Sequence, residues 1–200
     1  MRAVILLNGE PYQGVIEAED AHVYCCDGAY AWAKGRVRID ENLGDYDSLG
    51  FMPFPPPQEI YPSEKNATDG EIALNRAIEA GADHIAFYGG GGKREDHFLG
   101  NLHLLYQAAE RGVFAECVTN YARIFAAEGL VPLNGIKGKT VSILPFGGNA
   151  HILKSGGLHY PLLHLTLSYG STRGISNVVT EDEAYIVAEG RVLIFVDNQA

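Results

Sequence analysis

Cysteine is scarce in this sequence: three residues, Cys25, Cys26 and Cys117, an odd count that includes a vicinal pair. That excludes a disulfide framework, and no CxxC or Cys/His spacing offers a zinc site. The three read as small buried hydrophobes in a reducing compartment. Clustered positive charge is also lacking. No Lys/Arg run is longer than Lys93-Arg94, and 15 basic against 25 acidic residues leave a net charge of −10. A polynucleotide partner needs a basic footprint to displace counterions from phosphates, so nucleic acid is not an expected partner. Long apolar runs are missing too. The first, Val4–Leu7, gives way at once to Asn8-Gly9-Glu10, which is too short for a signal peptide's apolar core and far too short to cross a bilayer. The expectation is a cytoplasmic protein without a membrane partner.

What is present is an ordinary globular composition, 200 residues with 46% apolar and 20% charged, enough chain to bury about 70% of its unfolded surface. The acid excess is uneven: residues 1–100 hold 17 acidic and 8 basic residues, residues 101–200 hold 8 and 7. The grammar changes along the chain as well. Val4–Leu7, His22–Cys26 and His84–Tyr88 are continuous apolar runs of the kind buried on both faces of a parallel sheet. After the Pro53–Pro57 loop, Thr68-Asp69-Gly70-Glu71 has the form of a capping box, followed by Leu74, Ala77 and Ile78 on one stripe and Gly81 as a stop. Phe98, Leu99, Leu102, Leu105, Tyr106 and Ala109 predict a second helix ending at Gly112, and Ala115–Thr119 a further strand. Alternating strands and helices predict an α/β domain over residues 1–122. Beyond it the helical period vanishes. Arg123–Ala127, Thr140–Phe146, Leu162–Tyr169, Ala184–Ala188 and Arg191–Val196 read as short strands, with Leu163, Leu165, Leu167 and Tyr169 alternating and Glu189-Gly190 as a hairpin loop. Residues 123–200 are expected to form a small antiparallel β-sandwich.

In an open parallel sheet, ligands bind beyond the carboxyl ends of the strands. Asp27-Gly28 ends the second strand; Asp45 and Asp47 lie in Gly44-Asp45-Tyr46-Asp47-Ser48; Asp69 and Asp96 sit at helix starts. Singly, each has a plain structural reading, as a cap or a turn residue. Together they place five carboxylates on one edge, where like charges repel unless a cation offsets them. Asp45 and Asp47, two apart, point the same way in an extended chain and can share a hard cation such as Mg2+. Gly89–Gly92 has the look of a phosphate cradle leading into a helix, with Arg94 able to pair with phosphate oxygens. It is neither a P-loop, since Phe87 and Arg94 occupy positions that would need Gly and Ser/Thr, nor a dinucleotide fingerprint.

The ordered set Asp27-Gly28, Gly44–Ser48, Glu64–Asp69, Gly89–Gly92 with Arg94-x-Asp96-His97 and Asn101, then Gly157–Leu162 and Gly174–Asn177, resembles the thiamine pyrophosphokinases over residues 20 to 196. The resemblance implies an N-terminal catalytic domain that binds ATP and Mg2+, a C-terminal sandwich, and a cytoplasmic homodimer with thiamine held between the α/β domain of one subunit and the sandwich of the other. It assigns Asp45, Asp47 and Asp69 to the metal, and Asp69, Asp96 and Arg94 to catalysis. Asp27, Gly28, Ser48, Lys65, Thr68, Gly91, Gly92, His97 and Asn101 fall to the nucleotide, and Ser176 and Asn177 to thiamine. Asn66 departs from the pattern, standing where an Asp is usual. The implied reaction is pyrophosphate transfer from ATP to the thiamine hydroxyl. Its rivals are another ATP-dependent transferase acting on a small alcohol and a nucleotide- or thiamine-binding module without turnover. Trp32 and Phe195 are aromatic candidates for the cationic thiazolium or plain core residues, and His159 and His164 read as ordinary sheet residues.

Overall fold

The computed structural model describes residues 1–44, 50–57 and 66–198, which divide into two compact units, Met1–Asn120 and Tyr121–Ala200. Asp45, Asp47, Ser48 and Lys65 therefore lie outside the described residues. Among the described residues, no helix is long and apolar enough to cross a membrane.

The first unit holds five parallel strands, β1 (Arg2–Leu6), β2 (Ala21–Cys26), β3 (Glu41–Leu43), β4 (His84–Tyr88) and β5 (Phe114–Val118), in the order β5-β4-β1-β2-β3. Side chains alternate across the sheet. Val4, Leu6, Val23, Cys25, Ala86 and Tyr88 form one cluster with Tyr30 and Ala33 of the short helix α1 (Tyr30–Ala33). Helix α2 (Asp69–Glu79) packs against β1, β2 and β3, and α3 (Glu95–Glu110) against β5, with Phe87, Leu74 and Leu105 wholly buried. Each such side chain contributes about 1.5–3 kcal/mol. Only half of the expected capping box forms: Thr68 accepts the N–H of Glu71 at 3.2 Å, while the Glu71 carboxylate accepts from Gln107 of α3 at 3.3 Å, and Gly81 at φ +89° ends the helix. In α3 the buried stripe is Leu102, Leu104, Leu105 and Ala108, whereas Leu99 is 54% exposed, so the apolar face is turned from the one expected.

β3 has no apolar run to announce it. Its Glu41 carboxylate accepts from Arg76 of α2 and its Asn42 amide donates to the Pro55 carbonyl at 2.7 Å, so a polar strand is buried by pairing rather than by hydrophobicity.

The second unit is wholly antiparallel: β6 (Ala122–Pro132), β7 (Thr140–Pro145), β8 (Ala150–Gly156), β9 (Leu165–Leu167), β10 (Asn177–Val178) and β11 (Tyr185–Asp197). Two expectations are corrected here. Glu189-Gly190 is not a hairpin loop but a bulge inside one continuous strand. Gly190 takes φ +84°, the register against β6 shifts between Ala188 and Val192, and the Gly190 N–H is held by Glu128 at 3.2 Å. The bulge bends β11 so that Tyr185–Glu189 pair with β8 and Val192–Val196 with β7, while β6 follows the opposite edge. This is how a sandwich turns a corner without a loop. The Leu163–Tyr169 alternation also fails as a strand pattern. His164 at φ +53° breaks the extended run, only Leu165–Leu167 pair, and Leu163 and Tyr169 are exposed.

Candidate functional site

Register places Leu6, Cys26, Leu43, Tyr88 and Val118 at a common edge of the parallel sheet, and the segments that follow them gather there. The turn after β1 is zipped to the glycine loop after β4: the Leu7 N–H donates to Tyr88 O at 2.8 Å, Gly9 to Gly89 O at 2.8 Å and Glu10 to Gly91 O at 2.6 Å. That pairing explains much of the glycine content. A Cβ on Gly9 would lie 2.3 Å from Gly89 O, one on Gly90 would lie 2.9 Å from Cys117 Sγ, and one on Gly92 would lie 2.6 Å from Glu10 Cβ. On the neighbouring side, Gly28 leaves room for Asn8 and Gly44 for Asp27.

These segments, with the start of α2 and the loop into α3, enclose a cleft of about 630 Å³. Of the residues singled out from sequence, Asp27, Thr68, Asp69, Gly92, Arg94, His97 and Asn101 line it. Asp27 follows β2 with φ +39°, a costly backbone for a non-glycine residue and one that recurs at binding sites. Asp69 is the first residue of α2, but Thr68 performs the capping, so the helix does not need the Asp69 carboxylate for that purpose. Asn101 reaches back from α3 and donates to Gly90 O at 2.8 Å, fixing the glycine loop to the helix. Gly28 and Gly91 support the wall by close packing and do not line the cleft; Gly91 sits 3.2 Å, as a would-be Cβ, from Thr119.

Asp96 is not among the lining residues. It forms a two-pronged ion pair with Arg94, Nε to Oδ1 at 3.1 Å and Nη2 to Oδ2 at 2.5 Å, and Oδ1 also accepts the His97 N–H at 2.9 Å. The Arg94 guanidinium draws the Asp96 carboxyl down to about 2. Because the folded value is depressed, the pair is complete above the ordinary carboxylate range and is lost only as pH falls towards 2. An NMR titration of the Asp96 carboxyl is expected to give a midpoint near 2, returning towards 3.8 in Arg94→Ala; a midpoint near 4 in the parent protein would contradict the pairing.

Sequence reasoning missed Asn8 and Gly9, which line the cleft. Their signal is the Asn-Gly pair that closes the first apolar run. Trp32 is accounted for by the core: its indole N–H donates to Leu7 O at 3.2 Å and its ring packs with the β1–β2–β4 cluster. Burial pushes the Cys25 and Cys117 thiols up to about 12, consistent with inert hydrophobic packing. Among the described residues no three His, Cys, Asp or Glu side chains gather as a metal cage. The cleft's acids, Asp27 and Asp69, are oxygen donors of the type that suits Mg2+, a cation that commonly takes one or two carboxylates plus substrate phosphates.

In the second unit, Ser176 is exposed with φ +62° and its N–H donates to Ser142 Oγ at 3.1 Å. Asn177 is buried and clamps the backbone of Tyr160 from both sides, accepting its N–H at 2.9 Å and donating to its carbonyl at 2.7 Å. The exposed Tyr160 ring, packed edge-on against His159 at 4.5 Å, is presented by that clamp.

The family model described as thiamin pyrophosphokinase, catalytic domain, matches residues 12–115, and the one described as thiamin pyrophosphokinase, vitamin B1 binding domain, matches residues 129–193. The thiamine pyrophosphokinase of Bacillus subtilis (strain 168) is 29% identical over 164 residues, covering 78% of this chain and 77% of that protein. Among solved structures, the thiamin pyrophosphokinase of Geobacillus thermodenitrificans superposes with a TM-score of 0.85 at 26% identity, covering 100% of this chain and 99% of the other. The Bacillus subtilis crystal structure superposes at 0.86 and 24% identity with both chains fully covered, a likeness of fold. With both family models matched in order and the fold shared end to end, the chain belongs to the thiamin pyrophosphokinase family.

Proposed function

We propose that this protein is a thiamine diphosphokinase, transferring pyrophosphate from ATP to the hydroxyl of thiamine. The observation that carries this reading is the cleft at the carboxyl edge of the parallel sheet, where Asp27, Asp69, the glycine loop and Arg94 converge within the matched catalytic domain. The thiamine oxygen forms a bond to the β-phosphorus, the bond from that phosphorus to the α,β-bridging oxygen breaks, and AMP leaves with the bridging oxygen. Transfer of this kind needs positioning and charge neutralisation more than covalent help. Arg94, whose Nε and Nη2 are held by Asp96, offers the other edge of its guanidinium to phosphate oxygens. Asp69 accepts the hydrogen bond of the hydroxyl and takes its proton. Asp96 is outside the cleft lining and is tied to Arg94 by two hydrogen bonds, so its role is to orient Arg94.

Asp45 and Asp47, which the sequence pattern adds, would hold Mg2+, whose charge would offset that of the triphosphate, leaving Asp69, the third acid of that pattern, to the hydroxyl. Asn101 and the backbone around Gly91 and Gly92 serve the nucleotide, with Thr68 and His97 at its rim and Ser48 and Lys65 assigned by the sequence pattern alone. On the second unit, Ser176 and the Tyr160–Asn177 clamp are assigned to thiamine. We assign the protein to the cytoplasm and to a homodimer in which thiamine lies between the α/β domain of one protomer and the sandwich of the other. The homodimer rests on the family resemblance, and its test is mass measurement in solution.

Incubation with Mg-ATP and thiamine is expected to release AMP and thiamine diphosphate in equal amounts. ADP with thiamine monophosphate would replace this reading with single-phosphoryl transfer, and nucleotide binding without product would leave a binding module.

A further inference from the structure

Lys93 adopts φ +61°, the left-handed region in which a side chain crowds the following carbonyl and which glycine enters freely. Four glycines precede it, so the loop is rich in the residue this backbone favours, yet a lysine occupies the position. Packing gives no reason for it. The side chain is exposed, its Nζ is 3.4 Å from Asn8 Oδ1, and among the described residues no carboxylate pairs with it. The adjacent Arg94 differs, being tied to Asp96 at 2.5 Å. Lys93 and Asn8 both line the cleft, as do Gly90 and Gly92 of the glycine loop. A strained backbone that holds such a cation at the lining of a cleft is the pattern expected where the charge is used by a ligand.

We infer that Lys93 is a polyphosphate-binding residue of this site: its ammonium engages the terminal phosphates of the donor nucleotide, with Asn8 holding it over the cleft before the nucleotide arrives. The inference rests on the reading of this cleft as the nucleotide site. It makes Lys93 selective for the length of the phosphate chain, because a monophosphate presents nothing at the distal position.

The test uses the full chain and compares Lys93→Gly and Lys93→Arg by calorimetric binding of Mg-ATP and of AMP, with thermal unfolding alongside. Lys93→Gly is expected to weaken Mg-ATP about tenfold or more, and to change AMP affinity by less than about twofold. Its melting temperature should be kept or raised, by up to about 4 °C, as the backbone relaxes. Lys93→Arg should restore Mg-ATP affinity to within about threefold. Unchanged Mg-ATP affinity, equal weakening of ATP and AMP, or a lowered melting temperature in Lys93→Gly overturns the inference, as does a parent protein that binds no ATP. If the parent binds Mg-ATP with this dependence yet forms no thiamine diphosphate, the proposed reaction fails while the role of Lys93 stands.

Discussion

Asp69→Asn is expected to lower turnover of Mg-ATP and thiamine by about a thousandfold, in the range found when a positioned proton acceptor is removed. The substitution separates chemistry from stability unusually well. Thr68, not Asp69, accepts the N–H of Glu71, so the capping bond survives. Removing one negative charge from the first turn costs about 0.5 kcal/mol of favourable interaction with the helix dipole. For a chain of this size that is about 1–2 °C in melting temperature. The measurement is AMP release under saturating substrates, with the melting curve as the control. A rate within about fivefold of the parent would remove Asp69 from the reaction and return it to the status of an ordinary first-turn acid.

The second large effect lies at a residue with no functional group. Gly9→Ala places a methyl group 2.3 Å from the Gly89 carbonyl and 2.4 Å from the Gly91 carbonyl. Both obstacles are backbone and both accept hydrogen bonds from the segment that carries the substitution, so neither can swing aside as a side chain would. Relief requires parting the β1 turn from the glycine loop. The expected loss is about 3 kcal/mol, at the upper end for overpacking, or about 6–12 °C in melting temperature, with nucleotide affinity falling alongside because the loop forms the cleft wall. Gly100→Ala is the internal comparison. It sits within α3 with nothing inside 4 Å of a Cβ, and is expected to gain stability, by up to about 1 kcal/mol. If the two variants melt alike, the loop-to-loop packing is not what requires glycine at position 9.

The parts of the first unit legible in the sequence are those whose cause is local. The apolar runs of β1, β2 and β4 and the Thr68 cap are written in neighbouring residues, and so is the position of Asp27 and Asp69 at strand and helix ends. β3 was illegible because Glu41 and Asn42 are buried through partners at Arg76 and Pro55, distant in sequence. Asn8 and Gly9 interrupt the first apolar run, which is all their sequence shows; their place in the cleft depends on a pairing with residues eighty positions on. The glycine loop was legible as an open stretch of backbone, yet most of its glycines answer to contacts with Leu7, Glu10 and Cys117. Glu189-Gly190 shows the same limit from another direction. A glycine between two apolar runs has the same sequence signature whether the chain reverses or merely bulges, and only the competing partners β7 and β8 decide which.

That bulged strand also sets a timetable for synthesis. β6, β7 and β8 all take their principal edge from β11, which is the last of the strands to be made. Until residues 185–197 clear the ribosome, three strands wait with open edges, while the five parallel strands of the first unit, paired with one another, have all been made by Val118. A nascent chain arrested before Tyr185 should therefore carry the five paired strands of the first unit and an unformed sandwich, and the unformed half is where chaperone contacts and strand-edge aggregation would concentrate.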